Sequence, residues 1–273
     1  MLKEFAEVIR YRELLYNLVV RDLKIRYKNS VLGFFWSLVN PLLQVATITI
    51  VFKYILHASG RDYSAYLLCA FLPWMFFQMS VLDASSSILF HSDLVKKTYF
   101  PREILPASIV LSNLVHFVLA LGVFFVYRMA IGGQITVSWL LLPVVVLIQV
   151  MLNLGVAFFV SCLNVFYEDI KYLATVVLNL LYFALPIMYM VEQVRNSERI
   201  PGPLVTLLYY INPLPLLLTA YRKILLPPYD FGNIHDTPLN YWYLALAAVT
   251  SFIIFIAGYA FFNSRKWSFA ERV

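Results

Sequence analysis

Charged side chains are scarce in this sequence. Only 13% of its 273 residues are Asp, Glu, Lys or Arg, which is about half the share found in an ordinary soluble domain. Hydrophobic residues make up 62%, and the mean hydropathy is +0.77. One soluble core of this size could not bury that much apolar surface. The composition therefore excludes an ordinary soluble domain and predicts a membrane protein, because lipid solvates the apolar surface.

Cysteine is also rare, and the common catalytic and metal-binding motifs are absent. Cys69 and Cys162 lie in apolar runs, so we expect packing residues, no disulfide framework and no metal site. None of the nine glycines precedes a lysine, which excludes a Gly-x-x-x-x-Gly-Lys-Ser/Thr loop for ATP. A ladder of membrane acids and bases is missing too. Energy for any uphill transport would therefore come from a separate subunit, and we expect no cofactor in this chain.

Long apolar runs are abundant and predict an all-α membrane protein with six transmembrane helices. A helix needs about 20 mostly apolar residues to cross a bilayer. The predicted spans are at about residues 31–56, 65–90, 104–127, 138–165, 172–191 and 241–262. The first thirty residues carry charges throughout and have no short apolar core followed by a small-residue cleavage site, so we expect no cleaved signal peptide and expect the first span to direct insertion.

The connection between the fifth and sixth predicted spans, at about residues 192–240, is rich in proline. It also contains two apolar runs, residues 204–211 and 214–226, and each is too short to cross a bilayer. We expect two short re-entrant helices here, because broken backbone at membrane depth must be buried against protein.

The positions of lysine and arginine predict the orientation. The N-terminal segment, the links after spans two and four and the C-terminus together carry about twice as many of these residues as the other connections. Both termini are therefore expected in the cytoplasm. Residues 1–30 alternate apolar and charged side chains at helical spacing, which predicts a cytoplasmic amphipathic helix in the headgroup layer or packed on a partner. Residues 31–273 are expected to form one membrane domain.

Two predicted spans carry a stripe of polar side chains along one helical face. The stripe of the first span contains Gly33, Ser37, Asn40, Gln44 and Thr47. The stripe of the fifth span contains Tyr172, Thr175, Asn179, Tyr182, Pro186 and Tyr189. Such stripes form helix–helix contacts or line a polar pathway. Tyrosine is poorly suited to close helix packing, and its ring and hydroxyl suit sugar surfaces, so the fifth-span stripe favours a pathway.

Asp83 is the one acidic group well inside a predicted span. A carboxylate at this depth either has a direct function or is hydrogen-bonded to neighbouring helices. The sequence favours the second interpretation.

Four motifs, in order along the chain, resemble those of the ABC-2 type permeases that export lipid-linked polysaccharides such as O-antigen, wall teichoic acid and capsule. They are Arg-Asp-Leu-Lys-Ile-Arg-Tyr-Lys-Asn-Ser-Val-Leu-Gly-Phe-Phe-Trp at 21–36 with Asn40-Pro41, residues 97–106, residues 163–171, and residues 186–189 with Asn212-Pro213. One departure is Glu168, where family members often carry arginine before the aspartate.

The resemblance implies a homodimer that works with two copies of a separate ATPase subunit, on which ATP and Mg²⁺ would bind. Undecaprenyl-diphosphate-linked polysaccharide would cross the cytoplasmic (inner) membrane of a bacterium through a central channel, and no nucleic acid is expected as a partner. The implied channel lining includes Trp36, Asn40, Gln44, Asn179, Tyr182 and Tyr189.

The same resemblance makes residues 92–103 the coupling helix that contacts the ATPase. The residues expected there are Lys96, Lys97, Phe100, Pro101, Arg102 and Glu103. Simple positive-inside anchoring is the alternative for this basic segment. Arg26 and Lys28, just before the first span, either anchor to anionic lipid or attract the lipid diphosphate through charge-assisted hydrogen bonds.

Three other functions remain open. An ABC-2 exporter of a small drug or lipid would explain the tyrosine stripe and the proline-rich connection less well. A membrane enzyme acting on polyprenyl lipids would be expected to cluster acids or histidines at one membrane face, and the sequence has no such cluster. A structural scaffold would leave the polar stripes unexplained.

Overall fold

The computed structural model describes residues 7, 10–27, 33–51, 62–133, 136–195, 206–228 and 237–272, and every regular element in these ranges is helical. This confirms the predicted all-α fold class. The α-helices are α1 Arg12–Tyr27, α2 Gly33–Ile50, α3 Tyr63–Ser85, α4 Ser87–Phe90, α5 Ser92–Lys97, α6 Ile104–Ala130, α7 Leu142–Phe166, α8 Ile170–Ala184, α9 Val191–Arg195, α10 Pro213–Leu225, α11 Tyr241–Arg265 and α12 Phe269–Arg272. A π-helix covers Thr206–Ile211, and 3-10 turns cover Val137–Leu141 and Lys266–Ser268.

Four helical segments within the described ranges are long and apolar enough to cross a membrane. They are Tyr63–Ser85, Ile104–Ala130, Val137–Phe166 and Tyr241–Ser268. These segments coincide with the predicted second, third, fourth and sixth spans, so the chain is a multi-pass membrane protein. Of the predicted first span, residues 33–51 are described, and they include α2; the other residues of this span lie outside the described part of the chain. Lys28, which was predicted to contact the lipid diphosphate, also lies outside it.

Helix α8 is shorter than the predicted fifth span. It has 15 residues and ends at Ala184, which gives a length of about 22 Å against a hydrocarbon core of about 30 Å. The cause is Pro186, because a proline disfavours helical geometry at the residue before it. Leu185 accordingly has extended backbone angles, φ −85° and ψ 151°. The predicted end at residue 191 is therefore wrong.

Helix α3 lies at the centre of the bundle, and most of its side chains are buried, including Trp74. A helix that is apolar on all sides is expected in such a position. Its contact with α7 also contains polar groups. The side-chain amide of Gln149 donates to the carbonyl oxygen of Pro73 at 2.7 Å, and that of Asn153 donates to Ser80 Oγ at 3.3 Å.

Helices α7 and α11 cross at two glycines. A Cβ atom added to Gly155 would lie 2.6 Å from the Cα atom of Phe255, and one added to Gly258 would overlap the carbonyl oxygen of Gly155. Small residues let two membrane helices approach this closely. The crossing therefore requires glycine at both positions.

Helix α1 packs along the first half of α6. Leu18 is buried in a cluster with Phe100 and Ile104, and further along α1 the side chain of Arg26 reaches Asn113. We call the end of the bundle formed by α5, the start of α6 and α12 the proximal end. The distal end is formed by the starts of α3 and α11 and the end of α8.

Candidate functional site

The distal end contains a stretch of non-helical backbone, residues 185–190, between α8 and α9. Helix α10 packs against this stretch, and its side chains are almost all buried. Asn212 caps α10 by accepting a hydrogen bond from the Leu214 backbone N–H at 3.0 Å, and Pro213 and Pro215 begin the helix, where proline is tolerated. These local signals explain why a proline-rich segment still forms a helix.

Arg222 of α10 holds the non-helical stretch. Its guanidinium donates to the carbonyl oxygens of Pro186 at 2.6 Å and Tyr189 at 3.1 Å, and also to that of Ile187. Only 5% of Arg222 is exposed, and the guanidinium lies 3.7 Å from the ring centroid of Tyr66. The fork of donors and the aromatic face together accommodate a buried cation.

Tyrosine hydroxyls bond the same stretch of backbone. Tyr63 donates to the carbonyl oxygen of Met188 at 3.0 Å, and Tyr66 donates to that of Tyr189 at 3.1 Å. The hydroxyls of Tyr189 and Tyr209 lie 2.7 Å apart and both donate to the carbonyl oxygen of Ala184, the last residue of α8. Carbonyl groups that the helix no longer satisfies thus find side-chain donors.

The structure separates the residues predicted to line a channel. On α8, Asn179 is exposed, whereas Tyr182 is partly buried against Trp74 with ring centroids 6.0 Å apart. Tyr189 lies beyond the end of α8, so the predicted stripe of the fifth span ends at Tyr182. On α2, Gln44 is exposed.

Trp36 and Asn40 belong to α2, and their side chains lie outside what the structure describes. One face of α8 is strongly exposed and mixes tyrosine with apolar side chains. The exposed residues of this face include Tyr172, Leu173, Val176, Leu180 and Phe183.

The proximal end contains the segment predicted to couple to an ATPase. Lys96, Lys97 and the neighbouring Tyr99 are exposed, and Tyr99 is 76% exposed. Phe100 and Pro101 are buried in the chain itself. The surface that this segment offers to a partner is therefore basic and aromatic, and its apolar side faces the core.

Arg102 and Glu103 join the coupling segment to the C-terminal part of the chain. The Glu103 carboxylate accepts a hydrogen bond from Lys266 Nζ at 2.7 Å, and both side chains are at least nine-tenths buried. Arg102 donates to the backbone carbonyl of Lys266. Burial lowers the pKa of Arg102, and the Glu103 charge opposes this effect. A guanidinium nevertheless remains protonated at neutral pH.

Arg26 takes part in a three-residue polar cluster. It donates to Asp83 Oδ2 at 2.9 Å and to Asn113 Oδ1 at 3.0 Å, and Asn113 Nδ2 donates to the same Asp83 oxygen at 3.1 Å. Asp83 is thus hydrogen-bonded to neighbouring helices, as the sequence predicted. Its carboxylate already compensates the charge of Arg26, whose proposed diphosphate contact remains a prediction.

Sequence reasoning missed the roles of Arg222, Asn113 and Lys266. The adjacent cations Arg222 and Lys223 in the apolar run 214–226 were the available signal for buried charge, since ionisable groups in such runs face protein. No comparable signal marked Lys266, because nothing in the sequence shows that it meets Glu103. Glu168, in the α7–α8 connection, is exposed.

In the described part of the chain, an all-helical bundle with four membrane-length apolar helices defines a multi-pass membrane protein. Comparison with known proteins refines this class. The ABC-2 type transporter family matches residues 13–226, and the chain belongs to this family. Membership implies a separate ATPase partner and a transport function, not an enzymatic one.

Individual relatives match the whole chain or nearly all of it. An O-antigen export system permease protein RfbA from Myxococcus xanthus is 33% identical over 273 residues, which is 100% of both chains. A protein of the same name from Klebsiella pneumoniae is 30% identical over 260 residues, covering 95% of this chain and 94% of its own.

Proposed function

We propose that this chain is the permease subunit of an ATP-driven exporter of undecaprenyl-diphosphate-linked polysaccharide, with O-antigen as the polymer class and wall teichoic acid as the closest variant. The observation that carries the proposal is the end-to-end similarity to two O-antigen export permeases. The exposed tyrosine-bearing face of α8 suits a hydroxyl-rich substrate. In this proposal the membrane is the bacterial inner membrane.

The proposed topology has six spans, with the proximal end and both termini in the cytoplasm. Helices α2 and α8 supply the first and fifth spans, and α8 is completed by the non-helical stretch that Arg222 holds. The π-helix and α10 would be the re-entrant pair. The depth of α10 is supported by a ring contact of 5.9 Å between its Tyr221 and Phe117, near the middle of α6.

A homodimer and two ATPase copies complete the proposed assembly. The exposed face of α8 supports the dimer, because an apolar and polar mixture of this kind suits a second copy facing a channel. The coupling role of residues 92–103 is supported by the exposure of Lys96, Lys97 and Tyr99. Glu103 and Arg102 would transmit the movement of this segment to the C-terminal residues through their contacts with Lys266.

The proposed function is tested by co-purifying the permease with its separate ATPase subunit and measuring ATP turnover. Undecaprenyl-linked polymer is expected to raise turnover severalfold, whereas undecaprenyl phosphate alone is not. Failure of the two proteins to associate overturns the proposal. Stimulation by small drugs or phospholipids, with no response to the polymer, favours the smaller-substrate exporter instead.

A test of the diphosphate role proposed for Arg26 requires a variant in which Asp83 is not left as an unpaired charge. Arg26→Gln combined with Asp83→Asn removes both members of the 2.9 Å pair. If Arg26 attracts diphosphate, the double variant loses polymer-stimulated turnover, while Asp83→Asn alone keeps it. Equal stimulation in the double variant and the wild type contradicts this role and leaves Arg26 as a structural partner of Asp83.

A further inference from the structure

A cavity of about 480 Å³ opens at the distal end between the π-helix, α10 and the start of α11. Its volume lies within the range of about 300–1,000 Å³ typical of small-molecule sites. None of the residues predicted to line the channel belongs to it. It is therefore separate from the exposed face of α8.

Four tyrosines line this cavity: Tyr209, Tyr210, Tyr241 and Tyr243. The rings of Tyr210 and Tyr243 contact each other with centroids 5.3 Å apart, which fixes one wall. Tyr241 is 65% exposed and stands at the rim. Tyrosine presents an apolar ring face and a polar tip, a combination that matches the C–H face and the hydroxyls of a pyranose ring.

Three polar residues of the cavity lining form a hydrogen-bonded network. Glu192 Oε1 accepts from Lys223 Nζ at 2.9 Å and from the Thr237 hydroxyl at 2.8 Å, and Lys223 also donates to Thr237 at 2.7 Å. The two charged side chains are only 14% and 10% exposed. The network joins α9, α10 and the segment before α11.

The charge of this network is balanced. Among the described residues that line the cavity, Glu192 and Lys223 alone are charged, and they neutralise each other. Burial raises the pKa of Glu192, but the hydrogen bond and charge of Lys223 outweigh it, so the pKa lies below its ordinary value. The Glu192 carboxylate thus stays ionised at neutral pH. The described lining residues thus carry no net charge, which does not favour an anionic headgroup, whereas the acceptor positions that Lys223 and Thr237 leave free on the Glu192 carboxylate suit sugar hydroxyls.

We infer that the distal cavity is a saccharide-binding subsite that holds sugar units of the exported polymer outside the channel. This inference rests on the proposed function for the identity of the polymer. With the proximal end in the cytoplasm, the cavity faces the opposite side of the membrane. Sugar units that have already crossed would be retained there and hindered from sliding back.

The test uses the permease and its ATPase reconstituted together in phosphatidylcholine nanodiscs. The probe is O-polysaccharide released by mild acid from the strain that carries the gene, titrated by calorimetry. Tyr241→Ala is expected to weaken binding at least tenfold. The matched control is Trp242→Ala, because Trp242 is 73% exposed on the same turn of α11 but does not line the cavity.

Trp242→Ala is expected to change the dissociation constant by less than twofold. Equal thermal unfolding midpoints in the two variants establish that both are folded. The inference is overturned if the wild type does not bind the polysaccharide, or if the two variants bind it equally well. It is also overturned if phosphatidylglycerol in the nanodisc displaces the polysaccharide, since the cavity would then be a lipid site.

The proposed function is measured separately on the same samples. Polymer-stimulated ATP turnover in the wild type, together with no effect of Tyr241→Ala on polysaccharide binding, rejects the subsite and retains the exporter. Absence of stimulation by the lipid-linked polymer rejects the exporter, and the subsite with it.

Discussion

The proximal and distal ends of the bundle hold their segments by different chemistry. At the proximal end, side chains bond to side chains across long sequence distances, as in the Glu103–Lys266 and Arg26–Asp83 pairs. At the distal end, most donors are directed at backbone carbonyl oxygens, as in the four carbonyl contacts of Arg222.

This difference follows from the state of the backbone at each end. Helices that remain intact satisfy their own carbonyl groups, so the proximal side chains can fix the positions of whole segments. Where a helix stops inside the bundle, its free carbonyl groups need donors, because membrane depth offers little water. The distal end therefore uses arginine and tyrosine to stabilise irregular backbone, and the proximal end uses ion pairs to connect separate elements.

The largest expected effect is the loss of Arg222. Arg222→Leu removes the donors to Pro186, Ile187 and Tyr189, and burying several unsatisfied carbonyls is expected to lower the free energy of unfolding by roughly 4 kcal/mol. The measurement is thermal unfolding of the purified protein in detergent. Arg222→Lys keeps the charge but loses the fork of donors. Its thermal unfolding midpoint should therefore fall between those of the wild type and Arg222→Leu. A wild-type midpoint for Arg222→Leu would contradict the assigned role.

Breaking the Glu103–Lys266 pair at the proximal end should lower the free energy of unfolding slightly less than the loss of Arg222. A second substitution should reverse this effect. Glu103→Gln leaves Lys266 buried without its counter-charge, and we expect a loss of about 3 kcal/mol. Adding Lys266→Met should restore most of this stability in a double-mutant cycle. Lys97→Met serves as the control, because its pair with Asp93 is exposed, and it should leave the midpoint unchanged. Additive losses in the double variant would exclude a direct interaction.

The smallest effect is expected at the Glu192–Lys223 ion pair, one of two described at the distal end, where Arg128 and Asp62 form the other. Glu192→Gln should lower stability by roughly 1–2 kcal/mol at neutral pH. The pKa of Glu192 is lower in the folded state, so its contribution is full above the ordinary glutamate pKa of about 4.3. That contribution disappears as the pH falls through the lower folded value. The difference in unfolding free energy between Glu192→Gln and the wild type, measured by thermal unfolding across pH, should therefore shrink in acid. Glu168→Gln, at an exposed position, should have the stability of the wild type at every pH.

Much of the helical framework could be predicted from the sequence, because length and hydropathy identify membrane-length helices directly. Residues 104–127 and 241–262 fell within α6 and α11, and the run 214–226 became α10. The end of α8 was predicted too late because hydropathy stays high through residues 185–191. The helix ends earlier because Pro186 disfavours helical backbone angles at Leu185.

The contacts of the candidate sites were harder to predict. A pattern in one segment shows which face is polar but not which residue it meets, so Asp83 was expected to bond a neighbouring helix without Asn113 being named. Phe100 and Pro101 were expected at a partner contact, and the structure buries both. Local sequence cannot distinguish these cases, because an apolar residue beside lysines suits an interface and a core equally well.

The crossing of Gly155 and Gly258 gives α11 the geometry of a lever. The helix runs without interruption from Tyr241, at the distal cavity, to Arg265, next to the Lys266 that Glu103 binds. The close contact lies about 26 Å from the first of these ends and about 10 Å from the other, at 1.5 Å per residue. A rigid helix pivoting at that fulcrum moves its distal end more than twice as far as its proximal end.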